Sequence, residues 1–120
     1  MRLAGEHNAL NATAAAALAA GRGVGTQVIQ SALASFRSVK RRLDVCAEVG
    51  GITIIDDFAH HPTAIRETLR ALRSVYPQAR LWAVLEPRSN TLRRKVLASD
   101  LVQSLRFADR VILALSLIHI

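Results

Sequence analysis

The stretch Leu43–Asp57, with the sequence LDVCAEVGGITIIDD, decides the fold class of this chain. Apolar and polar residues alternate as far as Val49, which predicts a half-buried β-strand. Gly50-Gly51 is typical of a two-residue hairpin turn, and the apolar run Ile52–Ile55 predicts a second strand. The stretch therefore indicates a β-hairpin that ends at a pair of carboxylates.

Downstream of this stretch, the pattern alternates between helix and strand. Pro62 suits the first turn of a helix, which we expect over 63–74, and the run 81–85 predicts a buried strand. A helix over 91–105 and a third apolar strand over 111–115 follow. Strands that alternate with helices of this length predict a parallel α/β sheet.

Upstream, two helices are expected before the sheet begins. Alanine, the best helix former, dominates 8–20, and glycines follow it. A second, amphipathic helix is expected over 26–35, with an inward face formed by Val28, Ile29, Ala32 and Leu33. The basic segment 36–42 has no clear periodicity and is interpreted as a hinge. The domain organisation that follows is 1–38, 39–115 and an unassigned tail, 116–120, with both domains incomplete.

The bulk composition indicates a packed globular protein. Of the 120 residues, 51% are hydrophobic, which argues against disorder. No apolar run approaches the length that spans a bilayer, so no membrane association is expected. Cys46 is the single cysteine. It excludes an internal disulfide, fits a reducing cytoplasm and is expected to be a small apolar filler in the first strand.

The net charge of +7 raises the question of nucleic-acid binding. Arg66, Arg70 and Arg73 fall on one face of the predicted helix over 63–74, which favours a solvated basic face. Few aromatic residues are present to stack on bases, so we expect no nucleic-acid partner. Attraction of anionic small molecules such as nucleotides stays open.

The segment Asp56–Pro62, with the sequence DDFAHHP, is the most conspicuous candidate site. It lies where a strand ends and a helix begins, which is where open α/β sheets bind their ligands. Its carboxylates and imidazoles permit metal binding, acid–base chemistry or recognition of a sugar diol. A helix N-cap with a locally bonded histidine is the structural alternative. Adjacent residues on an extended segment point apart, which disfavours a metal site.

Four short segments, in order, resemble a known family. Gly5–Asn11 has the pattern G-x-H-N-x-x-N before an alanine-rich helix, and Lys40–Asp44 places an arginine before an apolar and an acidic residue. Asp57–Pro62 has the pattern D-[YF]-[AG]-H-x-P. These three are similar to motifs of the Mur ligase family, and Leu85–Thr91 resembles its branch that recycles murein peptides. The resemblance runs from about Leu3 to Ala114.

The resemblance implies that 1–38 is the helical end of the family's central ATP-binding domain. Residues 39–115 would then be the first part of its Rossmann-like C-terminal, peptide-binding domain. ATP-binding roles are implied for Asn8, Asn11, Arg42 and Asp57, of which Arg42 would reach phosphate and Asp57 the ribose hydroxyls. His7 and His60 are implied to support the site, and Arg88 and Asn90 to contact the peptide substrate.

The implied activity is ATP-dependent amide formation between UDP-N-acetylmuramate and the tripeptide L-alanyl-γ-D-glutamyl-meso-diaminopimelate. The alternatives are ligation of UDP-N-acetylmuramate to L-alanine, or a small non-catalytic nucleotide-binding module. The family's G-x-x-G-K-[ST] phosphate loop does not occur in the sequence, since Gly21–Gly25 has the glycines without the Lys-Ser/Thr. We therefore expect no catalytic residue in this segment, and we expect the Mg²⁺ ligands upstream of it.

Overall fold

The computed structural model describes residues 4–86 and 98–114 of the chain. The chain divides into two compact units, Met1–Phe58 and Ala59–Ile120. The domain boundary expected after residue 38 concerns a longer protein and stays a prediction. Within the part that the structure describes, no helix is both long enough and apolar enough to cross a bilayer.

The first unit begins with two helices, α1 (Glu6–Gly21) and α2 (Thr26–Ser35), as the sequence predicts. Gly23, with φ of 84°, lies in the turn between them, where a left-handed backbone favours glycine. The predicted inward face of α2 is only half right, because Ile29 and Leu33 are half-buried whereas Val28 and Ala32 are exposed.

A β-hairpin completes this unit, with strands β1 (Asp44–Val49) and β2 (Ile52–Asp56) pairing antiparallel. Gly50 and Gly51 connect them with φ of 57° and 77°, the two positive values that a type I′ turn requires. The hairpin prediction is confirmed. The predicted burial is wrong, because Val49 is 69% exposed and the β-bulge between Val45 and Ala47 interrupts the alternation.

Cys46 lies in this bulge and is exposed. The expectation of a small apolar filler is therefore wrong. An extra residue in one strand has no partner opposite it, so its side chain leaves the regular alternation of the two faces.

The second unit contains helix α3 (Pro62–Val75), strand β3 (Trp82–Leu85), helix α4 (Ala98–Ser104) and strand β4 (Arg110–Leu113). A short 3₁₀ turn, Leu105–Phe107, continues α4. β3 and β4 pair in parallel, which confirms the predicted parallel α/β arrangement for these strands. The hairpin strands form a separate two-stranded sheet among the described residues.

A small apolar core holds the second unit together. Ile65 and Leu69 of α3 are each 6% exposed and pack against Leu105. Residues four apart on a helix lie on one face, which is why this pair of side chains reaches the same neighbours. Each such burial removes apolar area from water, worth about 1.5–3 kcal/mol per side chain.

Hydrogen bonds from Arg73 also stabilise this unit. Its guanidinium donates hydrogen bonds to the backbone oxygens of Ala79 (2.9 Å) and Phe107 (3.1 Å) and to Asp109 Oδ2 (2.8 Å). Arg66 and Arg70 are exposed and contact Glu67, as the solvated basic face predicts, and the Arg70 guanidinium carbon also lies 6.0 Å from the centroid of the Phe107 ring. Arg73 departs from that prediction because it is a structural cross-link between α3 and the start of β4.

Candidate functional site

The backbone segments 41–43 and 56–58 lie side by side at the open end of the hairpin. The last pair of the β-ladder is Asp44 opposite Asp56. Beyond it, the Leu43 N–H donates to Asp57 Oδ2 at 2.9 Å, and the Phe58 N–H donates to the Arg41 carbonyl oxygen at 2.8 Å. Two further bonds thus join the strands after the regular pairing ends.

The 41–43 segment turns sharply before β1. Arg41 has φ of 61° and Leu43 has φ of 49°, so two residues of three have left-handed backbone without being glycine. This conformation costs an L-residue roughly 1–2 kcal/mol. Such residues persist where their surroundings hold them, and they cluster at functional sites.

Asp57 is a half-buried carboxylate of this site. One of its oxygens accepts the Leu43 N–H. An ionised carboxylate offers about four lone-pair positions, so it can accept hydrogen bonds from several donors at once. Its position at the end of β2 and its chemistry suit recognition of a sugar diol.

Arg42 is exposed in the middle of the same turn. Its backbone oxygen accepts a hydrogen bond from Ser38 Oγ at 2.9 Å, which ties the turn to the preceding segment. Within residues 4–86 and 98–114, its guanidinium has no hydrogen bond or ion pair. A planar, permanently charged group in this situation is suited to a phosphate oxygen.

Arg41, next to it, is engaged with the protein. Its Nε lies 3.3 Å from Asp56 Oδ2, and its guanidinium carbon lies 4.7 Å from the centroid of the Phe58 ring. Both residues lie in segments that the sequence analysis singled out, but it assigned a role to neither of them. The available signal was the turn at Gly50-Gly51, since counting outward from it brings the two segments together.

The two histidines of the DFAHHP segment, which belong to the second unit, differ in environment. His61 is the N-cap of α3, and its Nδ1 accepts the Thr63 N–H at 3.3 Å. The structural alternative of a capping histidine is therefore confirmed for His61. His60 is exposed, and its supporting role stays a prediction. Among the described residues, no group of three or more His, Cys, Asp or Glu side chains could hold a metal ion.

At the start of α1, the side chain of Asn8 bonds to the preceding loop. The Asn8 Nδ2 donates to the Ala4 carbonyl oxygen at 2.6 Å and so ties the preceding loop to the helix. His7 is half-buried, and its Nδ1 has no hydrogen-bond partner among the described residues. Asn11 is exposed. Roles of these residues toward ATP stay predictions.

Arg88 and Asn90, the candidates for peptide binding, lie outside the described residues. In sequence they come three and five residues after Leu85, the last residue of β3.

A polar groove of about 460 Å³ lies at the edge of the sheet where β3 and β4 begin. Its lining includes Arg73, Arg80, Asp109 and Arg110. Arg73 and Asp109 are bound to each other, so the groove is built around a structural cross-link.

Comparison with known proteins gives a consistent result. The family model of the Mur ligase, glutamate ligase domain, matches residues 41–116. The UDP-N-acetylmuramate–L-alanyl-gamma-D-glutamyl-meso-2,6-diaminoheptandioate ligase of Escherichia coli (strain K12) is 50% identical over 112 residues, which cover 92% of this chain and 24% of that protein. The UDP-N-acetylmuramate–L-alanine ligase of Roseiflexus castenholzii is 51% identical over 87 residues, covering 72% of this chain and 18% of that protein.

A solved structure is similar as well. The crystal structure of a UDP-N-acetylmuramate-alanine ligase from Thermotoga maritima superposes with a TM-score of 0.80 at 29% identity, over 96% of this chain and 25% of that one. The chain thus spans about a quarter of the length of the relatives that it matches over most of its own length.

Proposed function

The chain belongs to the Mur ligase family, and from that membership we propose that it is a segment of an ATP-dependent, amide-forming ligase of peptidoglycan metabolism. In this reaction a substrate carboxylate oxygen attacks the γ-phosphorus of ATP and ADP leaves. The amine of the second substrate then attacks the acyl carbon and phosphate leaves. The product is an amide.

One observation carries the proposal for this segment. A guanidinium, on Arg42, and a carboxylate, on Asp57, are presented by two backbone segments that hydrogen bonds hold together. A nucleotide carries phosphates and a ribose diol a few ångströms apart, so it needs a cation and an acceptor in the same neighbourhood. The hairpin end supplies both.

In the complete ligase, Arg42 would bind a phosphate of ATP and Asp57 would accept hydrogen bonds from the ribose hydroxyls. Asn8 and Asn11 would offer amide donors and acceptors to the adenine side of the nucleotide, with His7 and His60 as supporting residues. Mg²⁺, which neutralises phosphate charge in phosphoryl transfer, would be held by residues upstream of this segment.

The second substrate is proposed to be the recycled murein tripeptide, joined to UDP-N-acetylmuramate in the cytoplasm. Half of the aligned residues are shared with the diaminoheptandioate ligase of Escherichia coli along 92% of the chain. The segment Leu85–Thr91 adds Arg88 and Asn90, of which the arginine can hold a carboxylate with two hydrogen bonds.

Ligation of L-alanine is the second candidate, favoured by the 51% identity to the alanine ligase of Roseiflexus castenholzii. One assay distinguishes the two candidate substrates. The full-length ligase that carries this segment is given ATP, UDP-N-acetylmuramate and either the tripeptide or L-alanine, and ADP release is measured. Turnover with the tripeptide alone supports recycling, and turnover with L-alanine alone supports the second candidate.

The nucleotide site is tested by Asp57→Ala in the same full-length ligase. Loss of hydrogen bonds to a charged group is worth about 1.5–3 kcal/mol, so we expect the KM for ATP to rise roughly tenfold to a hundredfold. Asp57→Asn keeps an oxygen acceptor for the Leu43 N–H and separates the loss of charge from the loss of that bond. Glu48→Ala, at an exposed position of β1, is the matched control. Unchanged ATP kinetics in Asp57→Ala would remove the residue from the site.

A further inference from the structure

Arg41 and Asp56 lie in the candidate site next to Arg42 and Asp57, and the proposed function gives neither of them a contact with ATP. We propose that Arg41, Asp56 and Phe58 form a clamp, and that Arg41 and Asp56 are positioning residues which hold the turn 41–43 in the conformation that presents Arg42 and Asp57 to ATP. The proposal rests on the proposed function, since it concerns the same site.

The first support is that the two adjacent arginines make different contacts. Arg41 contacts the protein through Asp56 and Phe58, whereas the Arg42 guanidinium makes no hydrogen bond or ion pair in the part of the chain that the structure describes. Both side chains are equally charged, so their roles differ by placement. Arg41 is turned to the neighbouring strand end, and Arg42 is left available to an anion.

The second support is the backbone. Arg41 and Leu43 flank Arg42, and both have left-handed conformations that non-glycine residues rarely adopt. In an unrestrained segment these residues would return to ordinary conformations, and the direction of Arg42 would change with them. A side-chain contact from Arg41 to the opposite segment opposes that return.

The third support is the coupling between the turn and Asp57. The Phe58 N–H donates to the Arg41 carbonyl oxygen, and the Leu43 N–H donates to Asp57 Oδ2. The side-chain contacts of Arg41 reach Asp56 and Phe58, which are the two neighbours of Asp57 in sequence. The clamp therefore holds both sequence neighbours of Asp57 and ties its position to that of the turn.

Each of these contacts contributes little free energy by itself. The side chains of Arg41 and Asp56 are 57% and 44% exposed, and exposed ion pairs contribute little by themselves. A guanidinium over an aromatic face adds a contribution of similar size. From the two together we expect an increase of about five- to tenfold in the KM for ATP when Arg41 is replaced.

The test uses the full-length ligase with Arg41→Met, Asp56→Asn and the double variant. Methionine keeps the length of the side chain and removes its charge. We expect each single variant to raise the KM for ATP, the double variant to raise it by less than the product of the two factors, and the KM for the amine substrate to stay constant. Arg41→Lys, which keeps the charge, should recover part of the affinity for ATP.

A purely structural role gives a different pattern. A substitution that only destabilises the fold lowers the melting temperature and the apparent kcat and leaves the KM for ATP unchanged. That result would overturn the proposal. Independent, multiplicative effects in the double variant would overturn it too. Arg66→Met with Glu67→Gln, an ion pair of 3.1 Å on α3, is the control pair and should leave the KM for ATP unchanged.

The outcome for Asp57→Ala separates this proposal from the proposed function. If Asp57→Ala raises the KM for ATP and Arg41→Met does not, the clamp is rejected and the nucleotide site stands. If neither variant changes it, the nucleotide site itself is rejected.

Discussion

At the scale of single residues, Asp109 shows how one carboxylate can join distant parts of a unit. Its Oδ2 accepts hydrogen bonds from Arg73 at 2.8 Å and from the Leu81 N–H at 2.7 Å. The Arg73 hydrogen bond, followed by the Leu81 N–H, lowers the pKa of Asp109 from its ordinary value of 3.8. The folded protein therefore stabilises the ionised form of Asp109.

A pH dependence of stability follows for Asp109. Because its pKa is lower in the folded state, the stabilisation is fully present above the ordinary value of 3.8 and is lost as the pH falls through the lowered folded value. We expect the melting temperature of Asp109→Asn to lie below that of the unchanged chain at pH 7. The difference should shrink steadily as the pH is lowered below 4, as measured by thermal unfolding.

Arg73→Met is the companion variant for that measurement. It removes the largest cause of the lowered pKa and should show the same shrinking difference from the unchanged chain. A difference between Asp109→Asn and the unchanged chain that is equal at pH 7 and pH 3 would contradict the assignment.

At the scale of elements, the hairpin depends on its two glycines. Gly50 and Gly51 have positive φ, and no atom lies within 4 Å of a Cβ built on either residue. A side chain would thus fit in space, and its cost would come from the backbone alone. Gly21, the last residue of α1, also has open space but an ordinary φ.

Substitution by alanine should therefore have opposite effects at two glycines of one unit. Gly51→Ala should destabilise by about 1 kcal/mol, because alanine disfavours left-handed backbone. Gly21→Ala should stabilise by roughly 0.4–1 kcal/mol, because alanine has less freedom to lose on folding. Urea unfolding followed by circular dichroism measures both. If both substitutions changed the free energy of unfolding in the same direction, the backbone argument would be wrong.

At the scale of the whole molecule, much apolar surface is exposed. Leu10, Leu18 and Val28 on the two N-terminal helices are 63%, 73% and 62% exposed, and Ile52 on the hairpin is 67% exposed. A patch of this kind is typical of a surface that another part of a protein covers.

The affinity of the isolated chain for ATP should accordingly be low. The sequence holds no G-x-x-G-K-[ST] loop, so the proposed site supplies few of the phosphate contacts. We expect a dissociation constant of about 1 mM or weaker, a binding free energy of about −4 kcal/mol. Isothermal titration of the 120-residue chain with ATP measures it. Micromolar affinity would contradict the expectation, and Arg42→Met shows whether any binding uses the proposed site.

Features that depend on local interactions could be predicted from the sequence. Alanine content and glycines determine α1, Pro62 determines the start of α3, and Gly50-Gly51 determine the hairpin turn. These features are decided by neighbours within a few residues, so the sequence alone determines them. The candidate roles of Arg42 and Asp57 came instead from the resemblance to family motifs.

Tertiary structure alone decided which side chains meet and which faces are covered. Arg73 and Asp109 are 36 residues apart, and nothing in the helical pattern distinguishes Arg73 from the solvated Arg66 and Arg70. The pairing of Arg41 with Asp56, and the exposure of the apolar hairpin face, depend likewise on how whole segments are arranged. A side chain's partner is chosen by the packing of the folded chain, which no local pattern contains.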